Sequence, residues 1–127
     1  MYEDDFSLLV GKTLEKIDVT DEEVLFICDD DSAFRAYHMQ DCCESVAIHD
    51  INGNPDSLIG SKIVESEDIV SEDWPGDVPT PSYLDSFTWT THRIKTESDQ
   101  EVSFRWLGES NGYYSESVYL TRTHKPL

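Results

Sequence analysis

His38-Met-Gln-Asp-Cys-Cys-Glu44 puts an imidazole, an amide, two thiols and two carboxylates within seven residues. Such a set supports several chemistries. Cys42 and His38 can serve as nucleophile and base, because a neighbouring imidazole activates a thiolate. The two thiols can join His38 and His49 as ligands for a soft metal. The same side chains can also organise a small ligand or a turn. On an extended chain, His38, Gln40, Cys42 and Glu44 line one side, with Asp41 and Cys43 on the other. That spacing weakens both reactive readings. Residues i and i+4 on a strand lie about 13 Å apart by rise, and adjacent cysteines point apart. Only a bend at Gln40-Asp41 would bring His38 to Cys42. The expectation is a structural or ligand-organising segment, without catalytic or metal-ligating residues. Its plainest form buries Cys42 and Cys43 as small hydrophobes beside a polar turn.

A second stretch, Gly108-Glu-Ser-Asn-Gly-Tyr-Tyr-Ser115, offers Glu109, Ser110, Asn111, Tyr113 and Tyr114. Asn111-Gly112 predicts a tight hairpin turn, since both residues accept positive φ. Its amides could hold an anion, and the paired tyrosines could stack on a ring. The plainer expectation is one tyrosine packed inward and one outward. Other signatures are absent from the sequence: no Gly-Lys-Ser/Thr loop, no Gly-x-Ser-x-Gly, no His-Glu-x-x-His. Asp29-Asp-Asp lacks the spacing of an EF-hand loop. No cofactor is expected.

Carboxylates are too plentiful elsewhere to single out a catalytic pair. The 127 residues include 27 acidic and 9 basic ones, a net charge of −18. A small domain needs a magnitude of only about 2–8 for solubility. Residues 1–80 hold 21 of the acids and 4 of the bases, a net of −17. The acids cluster at Glu3-Asp-Asp5, Asp21-Glu-Glu23 and Asp29-Asp-Asp31, and along the run Glu65, Glu67, Asp68, Glu72, Asp73 and Asp77. Solvated turns account for any one cluster, but the total implies self-repulsion that a basic partner would offset. Direct binding of DNA or RNA is excluded, because such binders gather Lys and Arg on one face. The partner expected is a basic protein, itself a nucleic-acid binder, met through Asp29, Asp30, Asp31, Glu65, Glu67, Asp68, Glu72 and Asp73. No apolar run approaches the roughly 20 residues of a membrane span, and the N-terminus lacks a signal-peptide pattern. Three cysteines without a Cys-x-x-Cys fit a reducing cytoplasm better than a disulfide framework.

The elements that must carry these residues read as mainly β. With 38% apolar and 11% aromatic residues, residues 1–127 suit a single domain with a modest core. Extended segments are expected at 13–19, 24–28, 33–39, 45–51, 63–69, 87–94, 102–107 and 117–121, and six or seven short strands in a curved antiparallel sheet or small sandwich. Short helical turns are expected at 5–10, closed by Gly11, and at 55–59, capped by Asn54 and closed by Gly60. Residues 74–82 form a proline-rich loop. Val24, Phe26, Phe34, Val46, Ile48, Trp89, Val102, Phe104, Trp106, Val118 and Leu120 should point inward.

Gln40-Asp-Cys-Cys-Glu44, Val46-x-Ile-x-Asp50-Ile-x-Gly53, Leu58-Ile-Gly60, Thr88-Trp-Thr90 and Gly108-Glu-Ser-Asn-Gly-Tyr-Tyr-Ser-Glu116 follow one another in the chain. In that order they resemble a family of small proteins found largely in bacteriophage genomes, one without an assigned reaction. The acidic stretch 65–82 departs from it. The resemblance implies a phage accessory protein at work in the cytoplasm of a bacterial host. Three functions are then in view. One is an acidic, non-enzymatic inhibitor that imitates a phosphate backbone toward a host defence protein, as anti-CRISPR and DNA-mimic proteins do. Another is a small-molecule or nucleotide-sequestering protein built on 38–44 and 109–115. The last is a packaging component with an acidic surface.

Overall fold

A computed structural model describes residues 5–81 and 85–125. Glu3 and Asp4 of the N-terminal acidic cluster, and Ser82 at the end of the proline-rich loop, lie outside the described residues. Eight strands run among the described residues, one or two more than expected: β1 (Leu14–Val19), β2 (Glu23–Cys28), β3 (Ala33–Tyr37), β4 (Ser45–Asn52), β5 (Ile63–Ser71), β6 (Ser86–Thr96), β7 (Glu101–Ser110) and β8 (Tyr119–Thr123). They form two antiparallel four-stranded sheets, ordered β1-β2-β3-β8 and β4-β7-β6-β5. The helical segments are single 3-10 turns, Phe6–Leu9 and Pro55–Leu58. Their caps Asp5 and Asn54 accept the amides of Ser7 and Asp56 through side-chain oxygens, which satisfies donors left open at a helix start.

The inner faces of both sheets meet in one core. The Phe26 ring of the first sheet stands edge-on to Phe104 and His92 of the second, with centroids 6.3 and 5.7 Å apart. Val24, Phe34, Ile94, Val102, Trp106 and Leu120 lose all contact with solvent, each stabilising the fold by roughly 1.5–3 kcal/mol. The alternation in β7 is as expected, with Val102, Phe104 and Trp106 inward. Ile48 is only partly buried, at the core margin.

Trp89 is the exception. It is 3% exposed but is not part of the core. The inward face of β6 carries Thr90, His92, Ile94 and Thr96. Trp89 lies on the opposite face beneath Trp74, whose ring stands 5.1 Å from it and 4.9 Å from Phe87. The Trp74 indole donates to the Val78 carbonyl at 2.9 Å. The proline-rich loop is thus fastened over the outer face of the second sheet and supplies the cover that buries Trp89.

Two hairpin turns explain part of the acidic pattern. Asp31 and Asp99 adopt φ of +70° and +67° in the β2–β3 and β6–β7 turns, a region that Asp enters more readily than most residues. Asn111-Gly112 does not form the expected hairpin. Gly112 has a φ of +91° but Asn111 does not share a positive φ, and the segment crosses from β7 in one sheet to β8 in the other.

Candidate functional site

The segment 38–44 is not extended. β3 ends at Tyr37, and a bend at Cys42-Cys43 brings Glu44, rather than Cys42, back to His38. The Glu44 side chain is fully buried and the His38 side chain 2% exposed, with Nε2 and Oε2 2.7 Å apart. The amides of Asp41 and Cys42 each donate to the same carboxylate at 2.9 Å. The Gln40 amide donates to the Glu44 carbonyl at 2.6 Å. The hydrogen bond from His38, with those two backbone amides, holds the Glu44 carboxyl down to about 2, against the opposing effect of its burial. Every strong acceptor on Glu44 is therefore occupied by its own loop.

This arrangement also ties two distant stretches together. His38 Nδ1 lies 2.6 Å from the Ser117 carbonyl. Its two ring nitrogens thus sit against oxygens of two different segments. Beside it, the Glu116 carboxylate, 8% exposed as a residue, accepts the hydroxyls of Thr88 at 2.7 Å and Ser110 at 2.5 Å. The register places Ser45 opposite Glu109, Val46 opposite Gly108, and Thr88 opposite Gly108 on the other side. Gly108 is needed there: a Cβ would come within 2.7 Å of the Glu116 carbonyl oxygen and of its Cβ. The two motif stretches and Thr88 thus meet at one end of the second sheet, as interlocked structural clasps.

Cys42 and Cys43 are exposed, contrary to the expected burial. Their sulfurs are bonded to each other, 2.08 Å apart, so neither is a thiolate paired with His38. Cys28 is the buried free cysteine, its thiol pushed up mainly by burial. His49 turns away to the outer face, 3.1 Å from Asp50 and edge-on to Trp89 at 5.1 Å. Among the described residues no group of three His, Cys, Asp or Glu could hold a metal ion. Asn111 accepts the Tyr113 amide at 3.0 Å. Tyr113 is 82% exposed, while Tyr114 packs its ring against Tyr113 at 5.0 Å. Glu109 is half-buried at the end of β7.

The acidic residues divide into two groups. Asp30 is held by the Lys12 ammonium at 2.7 Å and caps the turn through Ser32, which together draw its carboxyl well below the usual range. Asp31 lies 3.5 Å from Lys125. Glu65 and Glu67 share the Arg93 guanidinium with Glu101. In contrast, Asp29, Asp68, Glu72 and Asp73 are exposed and have no basic partner among the described residues. Asp29–Asp31 lie in the β2–β3 turn of the first sheet and residues 65–71 on β5 of the second, linked through Lys12, which ion-pairs Asp30 and bonds through its carbonyl to the Ile63 amide at 2.8 Å.

Sequence reasoning missed one charged centre. Arg105 donates two hydrogen bonds to Asp50, at 3.0 and 2.5 Å, and two to Asp77, at 3.2 and 3.0 Å. Its guanidinium lies 5.1 Å over the Trp89 ring. Arg105 holds both carboxyls below the usual range. The signal was divided among three elements, β4, β7 and the proline-rich loop, and only the register of Asp50 with Arg105 unites it.

No curated protein and no solved structure matches the chain. A family model, "Domain of unknown function (DUF7448)", matches residues 7–120. Its span takes in both clasps, the Arg105 centre and all of β5, and the chain is a member of that family.

Proposed function

We propose that the protein is a non-enzymatic binding protein whose exposed carboxylates engage a basic surface on another protein, one built to hold a phosphate backbone. The observation that carries this reading is how the basic residues are used. Lys12, Lys16, Arg35, Arg93, Lys95, Arg105 and Lys125, seven of the nine, are in ion pairs with the chain's own acids. Asp21, Glu22, Asp29, Asp41, Asp56, Asp68, Glu72 and Asp73 stay exposed without such a partner among the described residues. The surface field is therefore anionic, which speeds encounter with a basic protein and repels nucleic acid. A host defence nuclease is the class of partner that fits best. The ligand-binding alternative is weaker, since the polar groups of 38–44 and Glu116 are spent on one another.

The test is capture from a bacterial lysate on immobilised protein, followed by elution with salt and, separately, with duplex DNA. The expected captives are basic nucleic-acid-binding proteins released by either eluent. Captives that stay bound in 1 M salt and ignore DNA would contradict the reading.

A further inference from the structure

The second sheet ends on an edge strand that its own fold leaves half covered. Ile63, at the start of β5, gives its carbonyl to the Gly11 amide and its amide to the Lys12 carbonyl, both at 2.8 Å. Ser66 donates its hydroxyl to the Phe6 carbonyl at 2.7 Å. Past Ser66, among the described residues, β5 pairs only with β6, so the other edge of Glu67–Ser71 has no backbone partner. Solvent reaches both of its faces, with Ile69 51% and Val70 59% exposed. Long edges of this kind are templates for another strand and are normally blunted.

The other boundary of this gap is also an edge. Among the described residues, β8 pairs with β3 alone. Between β5 and the start of β8 a cleft of about 210 Å³ opens, with Asp68 and Val70 on one wall and Thr90, Ser117 and Tyr119 on the other sides. Asp68 thus faces the cleft, while Glu65 and Glu67 face outward toward Arg93.

We propose that the Glu67–Ser71 edge of β5 is the docking strand for the basic partner, which adds an extended segment alternating Lys or Arg with apolar residues. The proposal rests on the acidic-binding reading and gives it a site and a mode. Backbone pairing would supply geometry that charge alone does not, and the basic side chains, all on one face of the added strand, would meet Asp68 in the cleft, leaving the apolar ones on the outer face beside Ile69. Charge also selects against a second copy. Two β5 edges laid side by side would set Glu65, Glu67, Asp68, Glu72 and Asp73 against the same residues, and like charges across strands are destabilising.

The probe is a nine-residue peptide alternating lysine and valine, compared with the same peptide N-methylated at every amide. Methylation keeps the charge and removes the donors. Binding is read in 0.05 M NaCl together with hydrogen exchange of those amides of residues 67–71 that point away from β6. The expected result is slowed exchange in that segment and at least tenfold weaker binding of the methylated peptide. Equal affinity for both peptides would overturn the docking mode and leave the acidic reading standing. No binding of either would overturn both. If the amides of 67–71 that point away from β6 are already protected in the free protein, the edge is covered by a second copy or by this chain, which would also overturn the proposal.

Discussion

Burial keeps His92 neutral, with its ionisation pushed down to about 3. Ser66 spends its hydroxyl hydrogen on the Phe6 carbonyl. His92 Nε2 must therefore be the donor to Ser66 at 2.9 Å, and Nδ1 is a buried acceptor without a partner. The folded protein refuses a proton that the unfolded chain accepts below about 6.5. Stability should consequently fall as pH drops from about 6.5 toward 3, by up to about 1.4 kcal/mol per pH unit from this residue. His92→Gln keeps a donor for Ser66 and does not titrate. Denaturant unfolding between pH 6.5 and 4.5 should show a flatter loss in the variant than in the parent; parallel curves would refute the assignment. That window avoids Glu44, whose own contribution is complete above about 4.5 and fades only below it, toward 2. At this scale the sequence was informative about which stretch is polar and dense, but not about which residue is buried. Glu44 is inside and the cysteines are outside because a bent loop can aim its amides at a carboxylate, and periodicity carries no information about bends.

The strands were largely legible because most follow a period of two with one buried face. β7 shows this in Val102, Phe104 and Trp106, and the polar Glu97–Gln100 joins it to β6 as a hairpin. β6 misled because its outer face carries the aromatic residues. Phe87 and Trp89 look like a core stripe, but the proline-rich loop covers them through Trp74, while the core face is Thr90, His92 and Ile94. A small sandwich was one of the two forms expected, but which strands fall in which sheet was hidden, since that turns on the crossovers after β3 and after β7. Gly108 marks the second crossing. Gly108→Ala forces a Cβ against the Glu116 backbone and should destabilise by about 1–3 kcal/mol, the usual cost of overpacking. Gly76→Ala, with nothing within 4 Å and no positive φ, should cost nothing measurable by the same denaturant titration. Equal effects at both positions would show that close approach at Gly108 is not what fixes the glycine.

For the whole molecule, composition alone disclosed the dominant property. A net charge of −18 is visible before any strand is placed; which carboxylates remain available is not, because that depends on register. Asp30, Glu65 and Glu67, expected at the interface, are engaged by Lys12 and Arg93. Asp68, Glu72 and Asp73 keep their charge uncompensated along and just past the open edge. Exposed ion pairs contribute only about 0.2–1 kcal/mol each, so recognition needs many of them, and long-range charge acts mainly on the encounter rate. The most direct measurement is surface plasmon resonance of a captured basic partner from 0.05 to 1 M NaCl, with the parent and with Asp68→Asn/Glu72→Gln/Asp73→Asn. Affinity should fall steeply with salt as the screening length shrinks to about 3 Å at 1 M, and the triple variant should lose association rate by severalfold with little change in dissociation. An affinity flat across that range, or a triple variant that associates like the parent, would contradict the account.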